Sequence, residues 1–202
     1  RAIITPDKHF PLHDQKAINV VCKAIKIVKP DIYIDLGDTG EWNLFSNHHW
    51  RKYDKPPDDL LIPMLDKSVK QVNKGMDQID KFLEKVKCKE RYFMQGNHEE
   101  WLDTYAKKYS RPRFLTQNAL RLKERGYEFH PYGRKIPLKI GKLNFKHGHR
   151  TGMHHAKAHL AMYGESVMYG HTHDLQRHTH TSLGGTISAW SLGCLKDIKK
   201  DE

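Results

Sequence analysis

The chain has 202 residues and a formal net charge of +11, enough for one domain with a substantial core or at most two small ones. No run approaches the roughly 18 consecutive apolar residues of a membrane span. The three cysteines, Cys22, Cys88 and Cys194, are widely spaced without a CxxC, which argues against a disulfide framework and fits small buried hydrophobes in a reducing, cytoplasmic setting.

In chain order, apolar β-rich runs alternate with helical patterns. The sequence opens with the apolar run AIIT directly after Arg1, and no basic-then-apolar signal pattern is expected within it. Residues 14–28 carry Ala17, Ile18, Val21, Ala24, Ile25 and Val28 at three- and four-residue spacing, with Asp14 as N-cap and Pro30 as stop, so a helix is expected there. DIYIDL (31–36) reads as a strand, residues 66–87 as a helix headed by Asp66, and RYFMQ (91–95) as a strand. Helices follow over about 98–109 and 116–125. KLNFK (142–146) and SVMY (166–169) read as strands flanking a helix at 153–163. From Leu175 two more strands turn about Gly184 and Gly185. Early alternation with antiparallel strands near the end points to a layered α/β domain, whose functional residues gather beyond the carboxyl ends of strands.

The charge is concentrated. Residues 101–150 hold 13 Lys or Arg against three acids. Such a block either attracts polyanions and phosphorylated ligands or forms a solvated face. Charge alone does not choose between them.

The polar clusters behind the strands carry the chemistry. They are Asp7-Lys8-His9, Gly37-Asp38, Gly96-Asn97-His98-Glu99, His147, and Gly170-His171-Thr172-His173. They offer carboxylates, an amide oxygen and imidazoles in excess of what one ion needs. Two adjacent ions sharing a carboxylate would use them, and mixed oxygen and nitrogen donors suit Mn, Fe, Zn, Ni or Co better than Ca.

In order, the motifs D-x-H, G-D, G-N-H-E, H and G-H-x-H make the chain resemble the calcineurin-like metallophosphoesterase superfamily over residues 7 to 173. The resemblance implies a four-layer αββα sandwich of two mixed β-sheets flanked by helices, with a metal site at the carboxyl ends of strands and one domain across 1–202. It further implies two divalent ions, Mn²⁺ first among them. Asp7, His9, Asp38 and His173 would hold one, and Asp38, Asn97, His147 and His171 the other. His98 would sit over the leaving-group oxygen or a nonbridging phosphate oxygen, and the glycine before His171 would let the chain turn tightly. The implied activity is hydrolysis of a phosphate ester by a metal-bridging hydroxide, with His98 as proton donor. Phosphodiesters of nucleotides or nucleic acid come first as substrates, a phosphomonoesterase or protein phosphatase second, and an inactive scaffold last.

Two features depart from the usual pattern. Where the superfamily reads G-D-x-x-D, this chain has Glu41, one methylene longer, expected to orient His98. The segment 42–65 is long and reads as an insertion near the active site, where His49 and Arg51 are candidate substrate contacts and Trp42 and Phe45 plain packing residues. His149, two residues past His147, is a third candidate contact. His154 and His155 are expected to begin a helix, and His13, His130, His178 and His180 are read as ordinary polar residues. No membrane or protein partner is indicated.

Overall fold

The computed structural model describes residues 1–46, 56–133 and 136–201. Strands β1 (Ala2–Thr5), β2 (Ile32–Asp35), β3 (Glu90–Met94) and β4 (Tyr127–His130) form a sheet in sequence order, every pair parallel. Helices α1 (Gln15–Val28), α2 (Asp58–Lys85), α3 (Asn97–Lys108) and α4 (Thr116–Ala119) supply the crossovers that parallel neighbours require. A second sheet of mixed sense has the order β5 (Leu138–Ile140), β6 (Leu143–Lys146), β7 (Val167–Tyr169), β9 (Gly185–Leu192), β8 (Leu175–Ser182), with helix α5 (His155–Tyr163) between β6 and β7. The expectation of two mixed sheets is therefore corrected for the first. Each of its connections contains a helix, so its strands run one way.

Period-two alternation sorts the first sheet's side chains. Tyr33, Phe93 and Tyr127 join one apolar cluster with Ile18, Ile25, Leu61, Val72, Ile79 and Leu102 of the helices. Ile34, Leu36 and Met94 join another with Phe145, packed against Ile140, Leu143, Met168 and Leu192 of the second-sheet region. A third links Ala156 and Leu160 of α5 to Val167, Tyr169 and Ala189. Each fully buried Leu, Ile or Phe contributes about 1.5–3 kcal/mol, and these contacts set where the strand ends lie.

Local signals explain most element boundaries. The Asp14 carboxylate accepts from the N–H groups of Lys16 and Ala17, and Lys29 ends α1 in the left-handed conformation before Pro30. Helix α2 begins well before Asp66. Asp58 and Asp59 occupy its first turn, and Leu61 and Leu65 extend the buried stripe of Val72, Met76, Ile79 and Leu83 upstream. Pro63, in the second turn, does not break the helix. The region 116–125 is helical only over Thr116–Ala119. Strands β4 and β5 lie in sequence that carries no clear strand signal. Cys22 and Cys88 are buried and free as expected, whereas Cys194 is half-buried. Among the described residues no helix is long and apolar enough to cross a membrane.

Candidate metal centre

Five loops, each just past a strand's carboxyl end, deliver the polar side chains. Asp7 and His9 follow β1, Asp38 follows β2, Asn97 follows β3, His147 follows β6, and His171 and His173 follow β7. The backbone there is bent hard. Asp7, His9, Asp38, His171 and His173 all have positive φ, between 27° and 75°. Non-glycine residues adopt that region at a cost, and such residues cluster at functional sites.

The tight turn expected of Gly170 is made instead by the histidines after it, since His171 and His173 are the left-handed residues. Gly170 serves close approach. A Cβ there would stand 2.1 Å from Asp7 Oδ2, and the His171 N–H beside it donates to both Asp7 oxygens at 3.0 Å. Gly96 has the same role, because a Cβ would lie 2.1 Å from Asp38 Oδ1. Glycine at these two positions lets one ligand loop sit directly against another.

Two groups of donors result, Asp7 with His9, Asp38 and His173, and Asp38 with His147 and His171, so Asp38 belongs to both. Asn97 joins the second. Its Oδ1 lies 3.1 Å from His147 Nε2 and 2.8 Å from His171 Nδ1. His147 Nδ1 donates to the Leu36 carbonyl at 2.7 Å, which leaves Nε2 as a lone pair in the neutral ring. That lone pair faces Asn97 Oδ1 and, at 3.2 Å, Asp38 Oδ2. In the first group His9 turns Nδ1 to Glu41 at 3.0 Å, and its Nε2 lies 3.0 Å from His173 Nε2. Acceptors thus point at acceptors, an arrangement that a cation between them satisfies. The donor set and spacing fit divalent ions with oxygen and nitrogen ligands at about 2.0–2.2 Å.

The electrostatics agree. Burial drives His171 and His173 down to about 4, helped by neighbouring imidazoles, so both are neutral and able to ligate at pH 7. Burial also lowers His9. Asp38 stays ionised because the imidazoles around it, His147 first, outweigh its burial. Asp7 is raised by burial, and His147 is raised by Asp38 against the effect of its own burial. Without an ion, the cluster takes up protons to balance its carboxylates.

A third convergence joins His9, Glu41 and His98. Glu41 lies 3.3 Å from His98 Nδ1 and 3.1 Å from Lys196 Nζ, in addition to His9. The longer glutamate therefore reaches two imidazoles and an ammonium. Burial lowers His98, but the Asp38 charge and Glu41 outweigh it and raise the imidazole. Its ring packs on Trp101 at 4.4 Å, and its Nε2 makes no hydrogen bond among the described residues.

Several residues that build the site carry no role in the sequence reading. Glu99, fully buried, accepts the N–H groups of Asp38, Thr39 and Gly40 at 2.9–3.1 Å and that of Gly96 at 3.0 Å. Its position three residues past Gly96 at the head of α3 resembles a capping box, the one local signal for it. Lys8, also buried, donates to Asp35 Oδ1 at 2.7 Å, which in turn accepts from Gly37 N–H and the Thr39 hydroxyl. His155 bridges the Tyr169 hydroxyl at 2.6 Å and Asp174 at 3.0 Å, bracing the segment that bears His171 and His173. Lys196 arrives from the segment after β9, which is tied to the loop after β1 by the Leu195 N–H on the Asp7 carbonyl.

The remaining candidates scatter. His149 lies outside the cluster, its Nε2 3.1 Å from Met162 Sδ. His49 and Arg51 lie outside the described residues. Trp42 and Phe45 are buried in the core, as the packing reading has it. His154 is exposed at the start of α5, and His178 and His180 lie on β8. Part of the basic block is ion-paired. Arg111 pairs with Asp58 at 2.8 Å, Arg113 with Asp66 and Arg121 with Asp77 at 3.3 Å, and Arg125 with Asp80, all across to α2.

No family model matches the chain, and no curated protein matches it. Among solved structures, the crystal structure of Pseudomonas putida nuclease MPE aligns over 98% of this chain and 74% of that one, at 11% identity and a TM-score of 0.43. That likeness is too distant to assign a reaction.

Proposed function

We propose that the chain is a dinuclear metal-dependent phosphoesterase of the calcineurin-like metallophosphoesterase type, one domain with the αββα layering of that superfamily. The observation that carries the reading is the pair of adjoining donor groups that share Asp38, with lone pairs facing one another. Asp7, His9, Asp38 and His173 would hold one ion and Asp38, Asn97, His147 and His171 the other, with Mn²⁺ first among Mn, Fe, Zn, Ni and Co. Ions held there supply neutralisation of phosphate charge and an activated water at neutral pH.

The chain's own groups do the rest. The Trp42 N–H donates to His98 Nδ1 at 3.4 Å, which leaves the ring proton on Nε2 to pass to the leaving oxygen, while Glu41 raises the ring's basicity. Trp101 fixes the plane of that ring. Glu99 and Lys8 hold the Asp38 loop from beneath. The favoured substrates are phosphodiesters of nucleotides or nucleic acid, with phosphomonoesters as the second reading.

The test is hydrolysis of bis-p-nitrophenyl phosphate and p-nitrophenyl phosphate, with Mn²⁺ and with chelator, beside His98→Ala. Turnover that needs metal and falls by about 10²–10⁴ in His98→Ala at unchanged metal content supports the reading. Monoester preference moves it to a phosphatase. Two bound ions without turnover of either ester sink it.

A further inference from the structure

Beside the donor cluster lies a cavity of about 450 Å³ lined by Tyr132, Gly133, Lys146, Gly148, His149 and Met162. That volume falls within the roughly 300–1,000 Å³ of small-molecule sites. It adjoins the metal centre directly, since Lys146 and Gly148 flank the ligand His147 and the Tyr132 ring meets that of His147 edge-on at 5.9 Å. None of the lining side chains is needed to hold an ion.

The chemistry of the walls is specific. Tyr132 brings an aromatic ring, Met162 a polarisable sulfur 3.1 Å from His149 Nε2, and Lys146 a cation. Next to Met162, the Tyr163 hydroxyl is buried without a hydrogen-bond partner among the described residues. Arg150, two residues past Gly148, adds positive charge that acts on both His149 and Tyr163. A flat π-face, a soft sulfur, polar groups and a cation together suit a heteroaromatic ring joined to a phosphate. Stacking on an aromatic side chain is the sequence-tolerant way proteins hold nucleobases.

We propose that this cavity is the subsite for a nucleobase-bearing group attached to the phosphate at the metal centre, with Tyr132 as the stacking residue and Lys146 and His149 as contacts to its phosphate and sugar oxygens. The proposal rests on the phosphoesterase reading for the position of the phosphate. It also defines the part His149 plays, which the metal cluster leaves without one.

The experiment is equilibrium binding of adenosine 5′-monophosphate and ribose 5-phosphate to the Mn²⁺-loaded protein, followed calorimetrically in wild type, Tyr132→Leu and Met162→Trp. The last variant fills the cavity from an exposed position, so it guards against a Tyr132 variant that fails to fold. Wild type should prefer the nucleotide about tenfold, and both variants should lose that preference. Equal affinity for the two ligands in wild type, or a preference untouched by both substitutions, overturns the subsite. The kcat/KM ratio for thymidine 5′-p-nitrophenyl phosphate over methyl p-nitrophenyl phosphate separates the two claims. Ester hydrolysis without base preference removes the subsite alone. Base-dependent binding without hydrolysis of any ester removes the phosphoesterase reading alone.

Discussion

The carboxylate of Glu99 accepts the backbone N–H of Asp38 at 2.9 Å, so a side chain from the first turn of α3 holds the backbone of the residue shared by both donor groups. The same carboxylate takes three more N–H groups, from Thr39, Gly40 and Gly96. Two candidate donor segments are thereby locked to one buried carboxyl, which burial and the Asp38 charge push up to about 7. Glu99→Gln keeps the shape but turns an amide NH₂ toward backbone donors. The expected loss is about 3 kcal/mol, from charged hydrogen bonds lost and a buried donor left unpaired. Urea denaturation should show that loss, and metal titration should show weaker binding. Unchanged values of both would mean the loops are held without Glu99.

Asp38 lies in both donor groups, whereas His171 lies in one. Asp38→Asn should therefore abolish binding of both ions, and His171→Ala should leave one per chain. Elemental analysis after desalting from Mn²⁺ counts them. If Asp38→Asn retains two ions per chain, Asp38 is not the bridge.

How much of this was legible in sequence follows from where the partners lie. The candidate donors were readable because each stands within a few residues of a β-rich run, and all but Asp7 and His9 also beside or near a glycine, so strand ends alone brought Asp7, Asp38, Asn97, His147 and His171 together. The role of Gly170 was misread, because what it avoids is Asp7, far away in sequence. Lys196 and Glu99 act on Glu41 and on the Asp38 loop through contacts no local pattern encodes. The start of α2 was missed because the prolines preceding it look like a turn, while Leu61 and Leu65 show their helical purpose only once the core is seen.

The basic block was open to two readings, and ion pairing to α2 decides for part of it. Arg111 and Arg113 face Asp58 and Asp66, and both pairs are partly exposed. Double charge reversal at these arginines should leave the salt dependence of oligonucleotide binding unchanged, because each arginine already faces a carboxylate of α2. Stability should fall by only about 1 kcal/mol per pair, the scale of exposed ion pairs. A salt slope reduced by one or two would restore the arginines to a substrate track.

His159 sets a stability limit on the acid side. It is fully buried, its Nδ1–H donates to the His155 carbonyl at 2.9 Å, its Nε2 accepts the His149 N–H at 3.3 Å, and its ring stacks on Tyr169 at 3.9 Å. Both nitrogens are used by the neutral tautomer, and burial lowers the imidazole to about 4 from 6.5. The folded state then binds fewer protons than the unfolded chain between those values, so stability present above pH 6.5 is lost as pH falls toward 4. The expected contribution is about 2 kcal/mol between pH 6.5 and 4.5. His171 and His173 add to the same trend in metal-free protein, so the decisive readout is the His159 ring itself. Nitrogen NMR should find a neutral Nδ1–H tautomer down to about pH 5, and a normal titration near 6.5 would show that the buried ring can accept its second proton.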